Sequence, residues 1–485
     1  MRSWPWLLVL ACLPAIAGAQ PRSRIALRPC RIKGIAGAAR CGTLDVAEDR
    51  AHPERRTLHL KVAVLRALAQ SPAPDALFVL AGGPGQSALD SLGPLVDGAL
   101  STVRQDRDLV LVDQRGTGAS NPLECKLLGD DAPLPERFRD DLLTPATIGA
   151  CAKKWSADLS QYTTPIAMQD LDDVRAALGY ETIDLWGGSY GTRAALVYLR
   201  EHGAHVRAVV LDGVAPMQLV LPTTMARDGQ RALDLLLAGC AADAACGAAF
   251  PDLRGRLDAL LAQLGRAPAH PTVAHPLTGA PTAVTISREG FVEALRGQLY
   301  LPDLAALMPL TIDRAARGDW GPFVAQNAGL EGSFVRGMYL GLLFATTCAE
   351  DLPYATAREL EDAARGTFLG PRLALDWLRV CSVFPPARPV AGFREPVRSD
   401  VPTLLLSGEL DPVTPPSWAE AAKQTLTHAL HVVVPGVGHG VTHRGCVPHL
   451  VARFIATGST AGLDTACVAQ STRPPFFVTF AGPTP

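Results

Sequence analysis

Three side chains in one chain order carry the chemistry open to this sequence. They are Ser189 in Gly187-Gly188-Ser189-Tyr190-Gly191, Asp411 in Gly408-Glu409-Leu410-Asp411-Pro412, and His439 in Gly438-His439-Gly440. A serine hydroxyl is a weak nucleophile until a base accepts its proton, and imidazole serves as that base when a buried carboxylate fixes its tautomer. The pattern Gly-x-Ser-x-Gly, set between an apolar strand and a helical pattern, is the sharp turn that leaves a serine Oγ exposed above a sheet. Glu409 and Asp212 compete for the acid's place. Asp411 is preferred because it lies deeper in its loop, just before a proline and one strand ahead of the histidine. His428, His431 and His443 compete with His439: the first two precede or lie in the last strand, and His443 lacks the flanking glycines.

These residues need elements that bring them together. A hairpin is expected from Cys41 to Arg66, then apolar strands at 75–81 and 108–113, a helix to Leu178 with Thr164 as N-cap, Pro165 at its first position and Gly179 as its stop, a strand at 182–188, a helix at 191–202 and a strand at 206–212. Alternating apolar strands and helices predict an α/β fold, a mostly parallel sheet with helices on both faces and its active loops at the strands' carboxyl ends. The rhythm breaks at 220–398, where helical patterns alternate with Pro-rich turns. It resumes with strands at 401–408 and 430–434, so the intervening helices are expected to cap the sheet's carboxyl edge.

Other polar groups have plainer readings. The run Gly82-Gly83-Pro84-Gly85 empties a strand into backbone N–H groups that could face a developing anion, or is simply a glycine turn. Asp113 and Arg115 are expected to form an ion pair bracing the next loop. Glu350 and Asp351, beside Cys348, read on residues alone as a charge pair at a helix end.

With Lys+Arg 45 against Asp+Glu 47 and a formal net charge of −2, nothing favours a nucleic-acid partner or an anionic membrane surface. Residues 1–19 read as a removable export signal: Met1-Arg2, an apolar run from Trp6 to Ile16 too short to span a bilayer, and Ala17-Gly18-Ala19 before the cut. An uncleaved anchor and lipidation at Cys12 fit the segment less well. Of the 11 cysteines, ten remain beyond Cys12, in sequential short-range pairs that suggest bridges Cys30–Cys41, Cys125–Cys151, Cys240–Cys246, Cys348–Cys381 and Cys446–Cys467, although sequence alone does not settle the pairing. No Cys-x-x-Cys or zinc-spaced cluster occurs, so oxidation outside the cytoplasm is the simpler account, and neither metal nor cofactor is expected.

Taken together, Gly82-Gly83-Pro84-Gly85, Asp113-Gln114-Arg115-Gly116-Thr117-Gly118, Gly188-Ser189-Tyr190-Gly191, the loop 408–415 and Gly438-His439-Gly440 resemble the secreted tripeptidyl-aminopeptidase-like branch of the proline iminopeptidase family of α/β hydrolases. One departure is Ala81, where the iminopeptidase loop usually begins with histidine. The resemblance implies residues 20–219 and 399–485 as a hydrolase core, with 220–398 as its cap. It also implies that Ser189 attacks a carbonyl, His439 moves the proton, Asp411 orients His439, and the N–H groups of Gly83 and Tyr190 hold the oxyanion. Cap carboxylates, Glu350 and Asp351, would then hold a substrate's free amine. The expected substrate is a peptide with a free N-terminus, the expected location secreted or periplasmic without stable membrane association, and the expected state a monomer or small homo-oligomer. A carboxylesterase or lipase using the same triad is the alternative, and a non-catalytic scaffold a remoter one.

Overall fold

Side chains that alternate along each strand give the central sheet two apolar faces. Phe78 and Leu80 fall in one buried cluster with Leu185, Val209 and Leu405, whereas Leu77 and Val79 fall in another with Trp186, Val210 and Leu404. The computed structural model describes residues 25–483 apart from 130, 335, 336 and 387–389, and leaves the side chains of 329–334 aside. The expected export segment, residues 1–19, lies outside the described residues.

In chain order the strands are β1 (Arg28–Cys30), β2 (Ala39–Ala47), β3 (Thr57–Leu65), β4 (Ala76–Leu80), β5 (Asp108–Val112), β6 (Ile183–Gly188), β7 (Val206–Asp212), β8 (Thr272–Ala274), β9 (Pro281–Ala283), β10 (Thr403–Gly408) and β11 (Ala429–Val434). All but β8 and β9 form one sheet in the order β1-β2-β3-β5-β4-β6-β7-β10-β11. Pairing is antiparallel from β1 through β3 to β5 and parallel from β5 to β11. This is the α/β-hydrolase fold. The strands that empty into Gly82, Ser189, Asp411 and His439 are β4, β6, β10 and β11, all parallel, so the four loops open on the same edge of the sheet.

Helices Thr164–Leu178 and Tyr190–His202 cover one face with residues such as Leu171, Val174 and Leu196; helix Val447–Thr457 covers the other with Val451 and Phe454. Between β7 and β10 the chain is mostly helical, beginning with Leu221–Ala242. Its first part has an apolar centre of its own, including Leu233, Leu257, Phe291 and Phe323. Helix Leu340–Glu350, by contrast, packs Leu342 and Phe344 into the sheet's cluster. The antiparallel pair β8–β9 stands where Pro-rich turns were expected.

Two local expectations are corrected. Thr163 caps the helix Thr164–Leu178 without a side-chain hydrogen bond, because the Thr164 hydroxyl is taken up by Glu350 and Tyr190 in the interior. Asp113 and Arg115 do not pair with each other. Asp113 accepts from the Ser87 hydroxyl at 2.6 Å and from the N–H groups of Leu89 and Ala119, while Arg115 turns beneath the loop to make two bonds with Asp170, at 2.7 and 2.9 Å. Arg115 also donates to the carbonyls of Ala47, Glu48 and Gln161. Removing Arg115 would leave buried Asp170 with only the partly exposed Arg50, 2.6 Å away, as its ion-pair partner, so Arg115→Met should destabilise the protein by roughly 1–3 kcal/mol in urea unfolding. A change within about 0.5 kcal/mol, the range of ordinary surface substitutions, would count against that account.

All five short-range cysteine pairs are disulfide-bonded. The Cys348–Cys381 bridge joins the helix that ends at Glu350 to the turn after helix Arg372–Val380, fixing the position of two carboxylates discussed below.

Candidate active site

At the end of β6 the chain reverses into helix Tyr190–His202, and Ser189 takes φ 55° and ψ −123°, a conformation that side-chain-bearing residues seldom adopt. Surrounding contacts hold it there: the Ser189 N–H donates to the Asp212 carbonyl at 2.8 Å, and the Thr192 N–H donates back to the Ser189 carbonyl at 2.9 Å. Glycine at 191 is a steric requirement, since a Cβ there would stand 2.8 Å from the Ala81 carbonyl oxygen.

The loop after β4 lies against this turn. A Cβ on Gly82 would come within 3.2 Å of the Ser189 Cβ, and Gly83 has φ 106°, which only glycine adopts readily. Gly83 and Tyr190 both line the cleft that contains Ser189. Tyr190 opens its helix, so its N–H belongs to the first-turn groups that have no acceptor within the helix.

Asp411 is fully buried, and its oxygens are divided between two tasks. Oδ1 accepts the N–H groups of Val413 and Thr414 at 2.8 and 2.9 Å; Oδ2 accepts the Thr414 hydroxyl at 2.9 Å and lies 2.8 Å from His439 Nδ1. Burial alone would raise the Asp411 carboxyl, but His439 and these donors outweigh it and hold it below the ordinary carboxylate range. Burial likewise opposes a charged His439, and Asp411 overcomes that opposition, so the ring titrates above its ordinary value.

The competing residues have other partners. Asp212 accepts Val441 N–H, Thr442 N–H and the Thr442 hydroxyl, bracing the loop just past His439. Glu409 accepts Gly436 N–H, and His431 sits between Glu420 and Ser407. Tyr300, at the end of helix Arg288–Leu299, accepts His439 N–H on its carbonyl at 3.0 Å and sets its ring edge-on to the imidazole at 5.2 Å. Sequence reading missed Tyr300 and Thr414, since neither a backbone acceptor nor a hydroxyl three residues past an acid leaves a motif.

The structure brings Ser189, His439, Gly83 and Tyr190 to one open cleft, lined also by Leu219, Met225, Leu343, Trp377 and Arg296. It does not bring Glu350 and Asp351 there. Glu350 accepts the Thr164 N–H at 2.5 Å and the Thr164 hydroxyl at 2.8 Å, and Asp351 takes two 3.0 Å bonds from Arg193. The expectation that they touch a substrate amine is therefore corrected: both lie in the protein interior, beneath the first turn of the helix that follows Ser189. Away from the cleft, Asp172, His202 and His205 could offer metal-ligand atoms, but the Asp172 carboxylate is already engaged by Arg175 and Tyr198.

Residues 366–467 match a family model described as TAP-like protein. Among curated relatives, the serine protease Hip1 of Mycobacterium tuberculosis is 29% identical over 267 residues, covering 50% of this chain and 51% of the relative. Tripeptidyl aminopeptidase of Streptomyces lividans is 31% identical over 188 residues, 36% of this chain and 35% of the relative. Carboxylesterase B of Mycobacterium tuberculosis is 33% identical over 229 residues, 43% of each. The chain thus spans about half the length, or less, of the curated relatives it matches. Among the described residues no helix is long and apolar enough to cross a membrane.

Proposed function

We propose that this TAP-like hydrolase is an exported serine aminopeptidase that releases short peptides or residues from peptide N-termini. The observation that carries the reading is the buried Asp411–His439 contact at 2.8 Å, in the same cleft as a serine held in a strained turn. In this reading Ser189 Oγ attacks the peptide carbonyl while its proton passes to His439. The tetrahedral oxyanion is held by the N–H groups of Gly83 and Tyr190. Collapse returns the proton from His439 to the leaving amine, and water then cleaves the acyl-enzyme by the same steps. No metal or cofactor enters these steps. Export accords with the five disulfides, which persist in oxidising surroundings. The names of two relatives, a serine protease and a tripeptidyl aminopeptidase, support the peptidase reading.

A second reading, carboxylesterase, is favoured by the apolar side chains of Leu219, Met225, Leu343 and Trp377 along the cleft and by the relative named carboxylesterase B. Assay of the purified enzyme on free and N-acetylated peptides and on short esters separates them. An aminopeptidase should show a kcat/KM for free peptides at least about tenfold above that for their acetylated forms, a difference of about 1.4 kcal/mol in transition-state binding. Hydrolysis of esters alone would overturn the peptidase reading.

A further inference from the structure

Beneath the nucleophile turn, buried hydrogen bonds link the cap to the residue after Ser189. Glu350, the last residue of helix Leu340–Glu350, accepts from Thr164 through both carboxylate oxygens. The Thr164 hydroxyl is 2.7 Å from the Tyr190 hydroxyl, which in turn takes the side-chain amide of Gln114 at 3.2 Å. Thr164, Tyr190 and Glu350 are all buried. Next to this chain, Arg193 is clamped by Asp351 and by the Leu219 carbonyl at 2.6 Å. Since Tyr190 supplies one of the two N–H groups assigned to the oxyanion, its side chain is the lever through which the interior reaches the reaction.

Counting donors and acceptors gives the chain a direction. An ionised carboxylate only accepts, so Thr164 must donate its single hydroxyl proton to Glu350. Tyr190 then donates to Thr164, and the Gln114 amide donates to Tyr190, leaving every group satisfied. A protonated Glu350 can donate from Oε2 to the Thr164 hydroxyl. Thr164 would then turn its proton toward Tyr190 and drive the Tyr190 proton against the Gln114 amide, donor facing donor.

We propose that Glu350 is a positioning residue, whose ionised form holds the Tyr190 hydroxyl through Thr164 and so sets the Tyr190 N–H toward the oxyanion. The inference rests on the serine-hydrolase roles given above and holds whether the substrate is a peptide or an ester. The charged groups around Glu350 are Arg193, from the helix after Ser189, and Asp351, its own neighbour. Burial pushes the Glu350 carboxyl up to about 7, with Asp351 adding to the rise and Arg193 and Thr164 only partly offsetting it. Glu350 therefore changes charge near neutral pH, and the acid side of the kcat profile should contain two ionisations, those of Glu350 and His439.

The test is the pH dependence of acylation in the full-length enzyme, read with a chromogenic ester and with the rate of fluorophosphonate labelling. Glu350→Gln matches the protonated form in shape and donor pattern. It should lower kcat by about ten- to a hundredfold, as expected for a displaced rather than a deleted oxyanion donor, and leave one ionisation on the acid limb. Tyr190→Phe removes the opposing proton, so Glu350→Gln added to Tyr190→Phe should cost less than about threefold more, a coupling that a purely structural role would not produce. Thr164→Ser, which keeps the hydroxyl, should retain both ionisations, and Thr164→Val should lose the Glu350 one. Unchanged pH profiles in Glu350→Gln and Thr164→Val, or additive losses in the double variant, would overturn the proposal even if all forms fold. Failure of the wild type to react with either probe would instead remove the underlying hydrolase reading.

Discussion

Ser189→Ala should lower kcat on any accepted substrate by about a millionfold, the order of loss when the nucleophile of a serine protease is deleted. Labelling by a fluorophosphonate should disappear with it. Alanine has the same difficulty as serine at φ 55° and ψ −123°, so this variant should unfold within a few degrees of the wild type. Ser189→Gly should be equally inactive but melt higher, because glycine takes up that conformation without the roughly 1–3 kcal/mol that such a backbone costs other residues. The two variants together separate chemistry from strain. If Ser189→Ala still labels at another serine, the turn after β6 is not where the nucleophile sits; if Ser189→Gly melts lower, the turn is not strained in the sense its dihedrals indicate.

Reading the chain forward succeeded where the cause was local. The strands at 76–80, 108–112, 183–188 and 403–408 are short runs of apolar residues bounded by polar or glycine-rich turns, and such runs have little alternative to a buried sheet. The placement of the site's residues on one edge was legible for the same reason. A glycine-bracketed serine, an acid before a proline and a glycine-bracketed histidine each lie in the turn or loop that follows a strand, and a parallel sheet aligns the ends of its strands. What escaped was set by the interior, where a side chain chooses its partner by access rather than by proximity in sequence. Arg115 passed over Asp113, two residues away, for Asp170, and Thr164 gave its hydroxyl to Glu350 rather than to the helix it begins. Glu350 itself looked like a surface charge at a helix end because nothing in Thr346-Thr347-Cys348-Ala349-Glu350-Asp351 says which way that end points. Its direction follows from Leu342 and Phe344 packing into the sheet's cluster and from the bridge at Cys348.

Asp411→Asn should lower kcat by about ten-thousandfold, the scale set by the equivalent change in a serine-protease triad. The asparagine carbonyl can replace Oδ1 in accepting the N–H groups of Val413 and Thr414, which leaves its amide facing His439 Nδ1 and the Thr414 hydroxyl. An amide N–H can only donate there. Nδ1 must then accept, the ring's proton moves to Nε2, and that nitrogen can no longer take the serine's proton. The pH profile should change in a definite direction as well. His439 works as a base when neutral, above its pKa, and Asp411 raises that pKa against the opposing effect of burial. Without the carboxylate the pKa falls, so the histidine's acid limb of kcat/KM should move to lower pH while the maximum drops. Asp212→Asn provides the contrast, because Asp212 also raises the His439 pKa but spends its hydrogen bonds on Val441 and Thr442. Its loss should loosen the loop beyond His439, lowering Tm with a smaller fall in kcat. If the two variants exchanged these outcomes, the acid of the site would be the one at the end of β7, and the bond between Asp411 and His439 would be structural.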